Sequence, residues 1–347
     1  MFFSKWFKKK GRKRAFLPLY DEIVEGMRTG KILTPKKDKY KKGSVYNYVK
    51  RRIAIVEYEA ETGVICLEDI CPEWADEFIL FLMEQKQYCK NTIATHIAGV
   101  KAVLNILYKK GISEYNGTGI GTSKELTTAV FSSIEDLQVL LNTDFGDREA
   151  LSRVRYVYVM HCFLGLRFSD LRKFLRDPKT YLRHHGNSQF VELKTQKNGE
   201  VVVIPIADVV KQILDIFGYD FNGLFTYQHY NKSIREMAEI AGLTNKIECT
   251  RTKAGVRQDY IMRKCDMMSS HTARRTFATN AMLSKDFNMT AIMKITGHRT
   301  VNSFERYVRC NVLESAINVA GNAFFKIPLV VNPVLLNDND LIKIEGA

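Results

Sequence analysis

Residues 112–124, ISEYNGTGIGTSK, constrain this chain most. Three glycines and four Ser and Thr residues with little apolar content cannot form a regular, core-burying element, so the stretch is expected to be a flexible linker. It divides the 347 residues into two parts, each in the usual domain range of roughly 100–200 residues. The expected layout is a basic arm over 1–16, a helical domain over 17–111, the linker over 112–124, a second domain over 125–325 and a tail over 326–347.

The first domain reads as about four helices. LPLYDEIVEGMRTG closes on Gly30, and Ser44 is placed to cap SVYNYVKRRIAIVEYEAETG, where Val45, Val49, Ile53 and Val56 recur at three- and four-residue spacing as a buried stripe. Pro72 suits the first turn of PEWADEFILFLMEQK. Asn91 or Thr92 caps a helix running through Ile93, Ile97, Val100, Leu104 and Leu107 to Gly111. Such a set packs as a bundle. Its basic edge includes Lys41, Lys42, Lys50, Arg51 and Arg52, which suit a DNA backbone as well as they suit a solvated surface.

The second domain opens on a helix capped by Ser133, followed by one that stops at Gly165. In QFVELKTQKNGEVVVIPIA two β-branched runs flank Asn198-Gly199, the dipeptide suited to a tight hairpin turn. Helices then return, so the fold class is mainly α with a small antiparallel β-sheet. NVLESAINVAGNAFF, 311–325, reads as a C-terminal helix.

Lys and Arg number 52 against 38 Asp and Glu, a net charge of +14, which favours a polyanionic partner. No run approaches the ~20 apolar residues of a membrane span, and the charges within MFFSKWFKKKGRKRAF break any secretory signal. Seven scattered cysteines with no C-x-x-C pair are expected to be reduced thiols of a cytoplasmic protein.

His271 and Arg274, three residues apart beside a helix start, would face an anion together. Gly297-His298 follows, and Tyr307 stands nine residues after His298. Each of these is common alone. Together, FLGLRFSDL, HTARRTFAT and ITGHRTVNSFERY resemble the three signature boxes of the tyrosine recombinase (phage integrase) family, and the phrasing of YNKSIREMAEIAGL and SSHTARRTFATN is similar to integrases of Bacteroidetes mobile elements. The resemblance implies a SAM-like helical core-binding domain followed by a catalytic domain. It places the catalytic residues on Arg167, Lys197, His271, Arg274, His298 and the nucleophile Tyr307, with Lys194 as the alternative lysine. Leu164 in place of threonine, Asp170 in place of glutamate and a long polar segment ahead of His271 depart from the family pattern.

What the resemblance implies is cleavage and rejoining of DNA through a 3′-phosphotyrosine, without metal, ATP or other cofactor, in the integration or excision of a mobile element. Arg167 and Arg274 would hold the phosphate oxygens, His271 take the tyrosine proton, His298 donate to the phosphate, and Lys197 protonate the leaving 5′ oxygen. The implied partners are double-stranded DNA with specific core sites and a homotetramer on two duplexes that exchanges C-terminal helices, with room for a directionality or host bending factor. A type IB topoisomerase would share this chemistry but relax DNA without exchanging partners, and a catalytically silent DNA-binding protein would keep the fold.

Overall fold

A computed structural model describes residues 13–197, 199–221, 225–284 and 287–309. The arm over 1–12, the expected 311–325 helix and the 326–347 tail lie outside the described residues. The chain divides into two units, one of residues 1–128 with 248–261, the other of 129–247 with 262–347.

The first unit is built on helices α1 (Phe16–Thr29), α2 (Lys42–Thr62), α3 (Pro72–Glu84) and α4 (Lys90–Lys109). Helix α1 buries Phe16, Tyr20, Ile23, Val24 and Met27 along one stripe and ends on left-handed Gly30, the conformation a glycine adopts without steric cost. Pro72 takes the first turn of α3, as its lack of an N–H favours.

Helix α2 is rotated from the expected orientation. It starts at Lys42, and of the expected stripe only Val45 is buried; Val49, Ile53 and Val56 are 45%, 56% and 36% exposed. The buried set is Val45, Ala54, Ile55 and Tyr58. Tyr58 decides this, because its ring meets Trp74, Phe78 and Phe81 at centroid distances of 5.1–6.1 Å. An aromatic cluster buries more area than a Val/Ile row and gains from edge-to-face geometry.

The 112–124 stretch is not wholly a linker. Ile120 is buried in the first unit's core, its carbonyl accepts from Lys101 Nζ at 2.8 Å, and Ile112 and Tyr115 pack nearby. Two isoleucines and a tyrosine are enough to hold it there. No regular element then occurs before residue 134.

The second unit comprises α5 (Ile134–Asn142), α6 (Glu149–Leu164), α7 (Phe168–Arg176), α8 (Pro178–Tyr181), strands β1 (Leu182–His185), β2 (Ser188–Lys194) and β3 (Val201–Pro205), then α9 (Asp208–Ile216), α10 (Tyr227–Ile240), α11 (Lys264–Met267), α12 (Ser270–Leu283), α13 (Met289–Thr296) and α14 (Val301–Glu305). Ser133 caps α5 in a capping box with Asp136. Helix α6 is buried nearly all round, from Leu151 to Leu164, and is the axis of this core.

The antiparallel sheet has three strands in the order β1-β2-β3, one more than expected. Lys194 pairs with Val201, so residues 195–200 form a six-residue connection in place of a two-residue Asn-Gly turn. Thr195 N donates to Glu200 O and Gly199 N to Thr195 O, which closes the loop across its base. Asn198 lies outside the described residues.

The polar segment ahead of His271 forms a hairpin, β4 (Lys246–Lys253) and β5 (Val256–Arg263), turning on Ala254 and Gly255. Both turn residues have positive φ, 51° and 76°, as a two-residue turn between twisted strands requires. Its outer part, 248–261, belongs to the first unit. There Ala254 N donates to Tyr88 O at 3.0 Å, Lys253 pairs with Cys89, and Thr252 N donates to Glu125 at 2.9 Å.

Candidate active site

Gly165 ends α6 in the left-handed conformation, and a side chain there would meet the Phe277 ring at 2.7 Å. That turn leaves Arg167 as the residue preceding α7. Two buried side chains hold the turn. Arg274 Nη1 donates to Gly165 O at 2.8 Å, and the His161 ring meets Leu166 O through Nε2 at 2.9 Å. The carbonyl can only accept, so Nε2 carries the proton and Nδ1 accepts from Tyr230 Oη, 3.2 Å away. His161 is wholly buried, which lowers its pKa to about 4 and keeps it neutral.

Ser269 opens α12, its N–H donating to Thr272 Oγ1 at 3.0 Å. His271 follows within the first turn and is exposed, while Arg274, one turn on, is only 1% exposed. Besides Gly165, Arg274 donates through Nη2 to Thr296 O at 2.5 Å and to the His298 ring at 3.1 Å. Its guanidinium lies 5.2 Å from the centre of the Tyr307 ring. Burial first, then the charge of Arg167, lowers its pKa to about 10, against the support of Tyr307 and Asp170. It therefore stays a cation at neutral pH.

Gly297, also left-handed, ends α13 and turns His298 inward. Thr296 Oγ1 donates to Ile292 O at 2.7 Å, which leaves a lone pair for His298 Nδ1–H, also 2.7 Å away. Since an arginine N–H can only donate, His298 Nε2 accepts from Arg274. Desolvation and the two arginines bring its pKa down to about 3. In this arrangement both ring nitrogens of His298 are engaged, Nδ1 with Thr296 and Nε2 with Arg274.

Tyr307 sits just past α14 and not within it, its N–H donating to Phe304 O at 2.7 Å. Its ring stands 4.8 Å from that of His298. The His271 pKa is pushed below the ordinary imidazole value, by desolvation first and then by Arg275, Arg274, Lys197 and Arg167. Five of the six expected residues thus crowd one locus with the nucleophile candidate. Lys197 is among the cations whose charge His271 feels.

Asp170 stands where the family pattern has glutamate. The structure buries it completely, with Oδ1 accepting from Gln196 N at 2.8 Å, so it pins the loop residue next to Lys197. His161 and Thr296 carry no signal of their own in the sequence, although what they hold, Leu166 and His298, lies only five and two residues away. Of the guanidinium nitrogens expected to hold the phosphate, Arg167 Nη1 and Arg274 Nε are buried without a partner among the described residues. Among those residues no group of three or more His, Cys, Asp or Glu side chains is arranged to hold a metal ion.

In the first unit Lys41, Lys42 and Lys50 are exposed. Arg51 lies across α4, where a side chain on Gly99 would meet its Cδ at 2.6 Å, and Arg52 makes a two-point ion pair with Asp21 at 2.5 and 2.7 Å. Both arginines are thereby engaged within their own unit.

Residues 16–119 match the family model of the phage integrase SAM-like domain. Comparison with curated proteins gives no match. Among solved structures, XerH site-specific recombinase bound to palindromic difH substrate in a post-cleavage complex is similar at a TM-score of 0.61 and 13% identity, over 88% of this chain and 84% of that one. The Tn1549 transposon integrase in complex with circular intermediate DNA is similar at 0.60 and 15%, over 87% and 98%. A lambda integrase dimer bound to a COC′ core site follows at 0.60 and 14%, over 85% and 96%. The chain thus carries a phage integrase SAM-like domain and has the fold of the tyrosine recombinases.

Proposed function

We propose that this protein is a site-specific tyrosine recombinase that cleaves and rejoins double-stranded DNA at specific core sites, integrating or excising a mobile element. The observation that carries the reading is the pair of buried, unpartnered donors, Arg167 Nη1 and Arg274 Nε, with the Arg274 guanidinium 5.2 Å from the centre of the Tyr307 ring. Burying an unpaired donor costs free energy unless an acceptor arrives. A phosphodiester supplies two anionic oxygens, and each guanidinium can grip them with paired bonds.

Tyr307 Oη attacks the phosphorus while His271, kept neutral by its surroundings, takes the phenolic proton. The P–O5′ bond breaks, Lys197 protonates the departing oxygen, and the strand is left joined to Tyr307 as a 3′-phosphotyrosine. Arg167 and Arg274 stabilise the added negative charge of the transition state, and His298 keeps Arg274 in place. The bond energy is conserved in the phosphotyrosine, so a 5′-hydroxyl reverses the step with neither ATP nor metal.

Four protomers on two duplexes would exchange the 311–325 segment. An apolar cavity of about 340 Å³ in the second unit, lined by Leu137, Phe163, Ile206, Phe277, Ala281 and Ile295 among others, has the chemistry to receive it. The reaction belongs in the cytoplasm, where a directionality or DNA-bending factor would set its outcome.

Nicked suicide duplexes with a randomised core, incubated with the protein, test this reading. A covalent adduct enriched for one sequence is expected, and Tyr307→Phe should lower its formation on the order of 10⁴-fold or more. An unimpaired Phe variant would overturn the assignment, as would no adduct across the whole library.

A further inference from the structure

We propose that Arg275 and Arg309 form a second phosphate seat beside Tyr307, which holds the phosphodiester next to the scissile one on the strand that Tyr307 captures. The inference rests on the recombinase reading above.

Helix α12 supplies the geometry. Arg275 directly follows Arg274, and a step of about 100° per residue turns it onto a different face of the helix. One turn further along that face stands Thr279, whose hydroxyl donates to Tyr307 O at 3.3 Å and accepts from Arg309 N at 3.0 Å. Residues 307–309 are therefore strapped to the side of α12 that carries Arg275, and the two arginines flank the nucleophile.

Both are half-buried, and the Nε of each is fully covered with no hydrogen-bond partner among the described residues. Neither takes part in any ion pair seen among those residues. Arg275 feels the charge of Arg309, and burial pushes the pKa of each below the ordinary guanidinium value. Two neighbouring cations with covered, empty donors are costly to hold in a folded protein. An anion arriving with the substrate removes that cost.

Arg167 and Arg274 already serve the scissile phosphate, on another face of α12. Once Tyr307 is bonded to that phosphate, the anion that must lie nearest it is the next phosphate of the same strand. Its two non-bridging oxygens match the fork of a guanidinium. Held there, the captured strand stays in place while the released fragment, with its 5′-hydroxyl end, is exchanged.

The test uses the full chain and the duplex captured from the library, resynthesised with a single neutral methylphosphonate at the linkage on one or the other side of the scissile phosphate. Adduct formation by the parent protein should slow by about ten- to a hundredfold with the neutral linkage on the 5′ side of the scissile phosphate, which stays with the captured strand, the loss typical of a hydrogen bond to a charged group; slowing only at the 3′-side linkage overturns the proposal. Arg275→Gln/Arg309→Gln should slow by a similar factor on all-phosphate DNA and then be indifferent to the neutral linkage, with Arg275→Lys/Arg309→Lys restoring part of the rate. A parent indifferent to both neutral linkages overturns the proposal, and a slow Gln variant would then mean that the arginines hold a carboxylate of the chain itself. Slowdowns that multiply, or a Gln variant as fast as the parent, overturn it too. The parent arm needs no variant to fold. Failure of the parent to form any adduct is a separate result, which removes the recombinase reading and this inference with it.

Discussion

The two cores of this protein hold opposite chemistry. Around Tyr58 the first unit packs Trp74, Phe78 and Phe81 ring against ring, and charges pair at its surface, as in Lys13–Asp69 and Arg14–Glu68, with Glu57 Oε2 and His96 Nδ1 its buried unpartnered side-chain atoms among the described residues. Around Arg274 the second unit buries a guanidinium, the Asp170 carboxylate, the His161 imidazole and several threonines, and leaves donors unmatched. The first arrangement is what stability alone selects. The second departs from it, and such departures are tolerated where function needs them.

Five measurements break or sharpen this contrast. Phe78→Ala should lower the stability of the first unit by about 3–5 kcal/mol, because a fully buried ring leaves a cavity. Denaturant titration reads the loss, and adduct formation per folded molecule should hold. If a comparable truncation proves harmless, the aromatic cluster is not what supports the unit.

Arg274→Lys comes next. An ammonium cannot reach Gly165 O, Thr296 O and a phosphate together, so adduct formation should fall roughly 10²–10³-fold, with a smaller change in thermal midpoint than Phe78→Ala causes. Equal damage to folding and to chemistry would make Arg274 a structural residue.

Acid should separate the units. His161 and His298 in the second unit have pKa values near 4 and 3, against about 4 for His96 in the first. Between those values and about 6.5 the unfolded chain binds protons that the folded one does not, so acidification destabilises. The loss begins near pH 6.5 and levels off near pH 3–4, at no more than about 1.4 kcal/mol per pH unit for each histidine. Hydrogen exchange at pH 7 and pH 5 should show the second unit losing more protection. Equal losses would contradict the burial of these rings.

Lys50→Ala is the mildest change. It should weaken DNA binding uniformly across sequences and reduce the salt dependence by about one charge. Arg52→Ala, which removes the pair with half-exposed Asp21, should cost at most ~1 kcal/mol of stability. A large, sequence-dependent effect at Lys50 would make it a base-reading residue.

Much of the fold was legible in the sequence, since helix stops at Gly30 and Gly165, the Pro72 start and the Ser133 cap are local signals that the chain obeys. The rotation of α2 was not, because period alone cannot rank Ile53 against Tyr58 when the partners of Tyr58 lie in another helix. The β4–β5 hairpin was hidden by its polarity, its outer strand being mostly exposed. Within the site the reactive groups could be named from spacing. Their supports could not: His161, Asp170 and Thr296 act on Leu166, Gln196 and His298, and only the folded chain shows those pairings.

The hairpin also fixes an order of events during synthesis. Residues 248–261 complete a unit whose remainder ends at residue 128, so on the ribosome the helices of that unit wait for a piece made much later. At about 5–20 residues per second the gap is on the order of ten seconds. Throughout it the backbone groups of Tyr88 and Cys89, and the Glu125 carboxylate, lack their hairpin partners and are left to water.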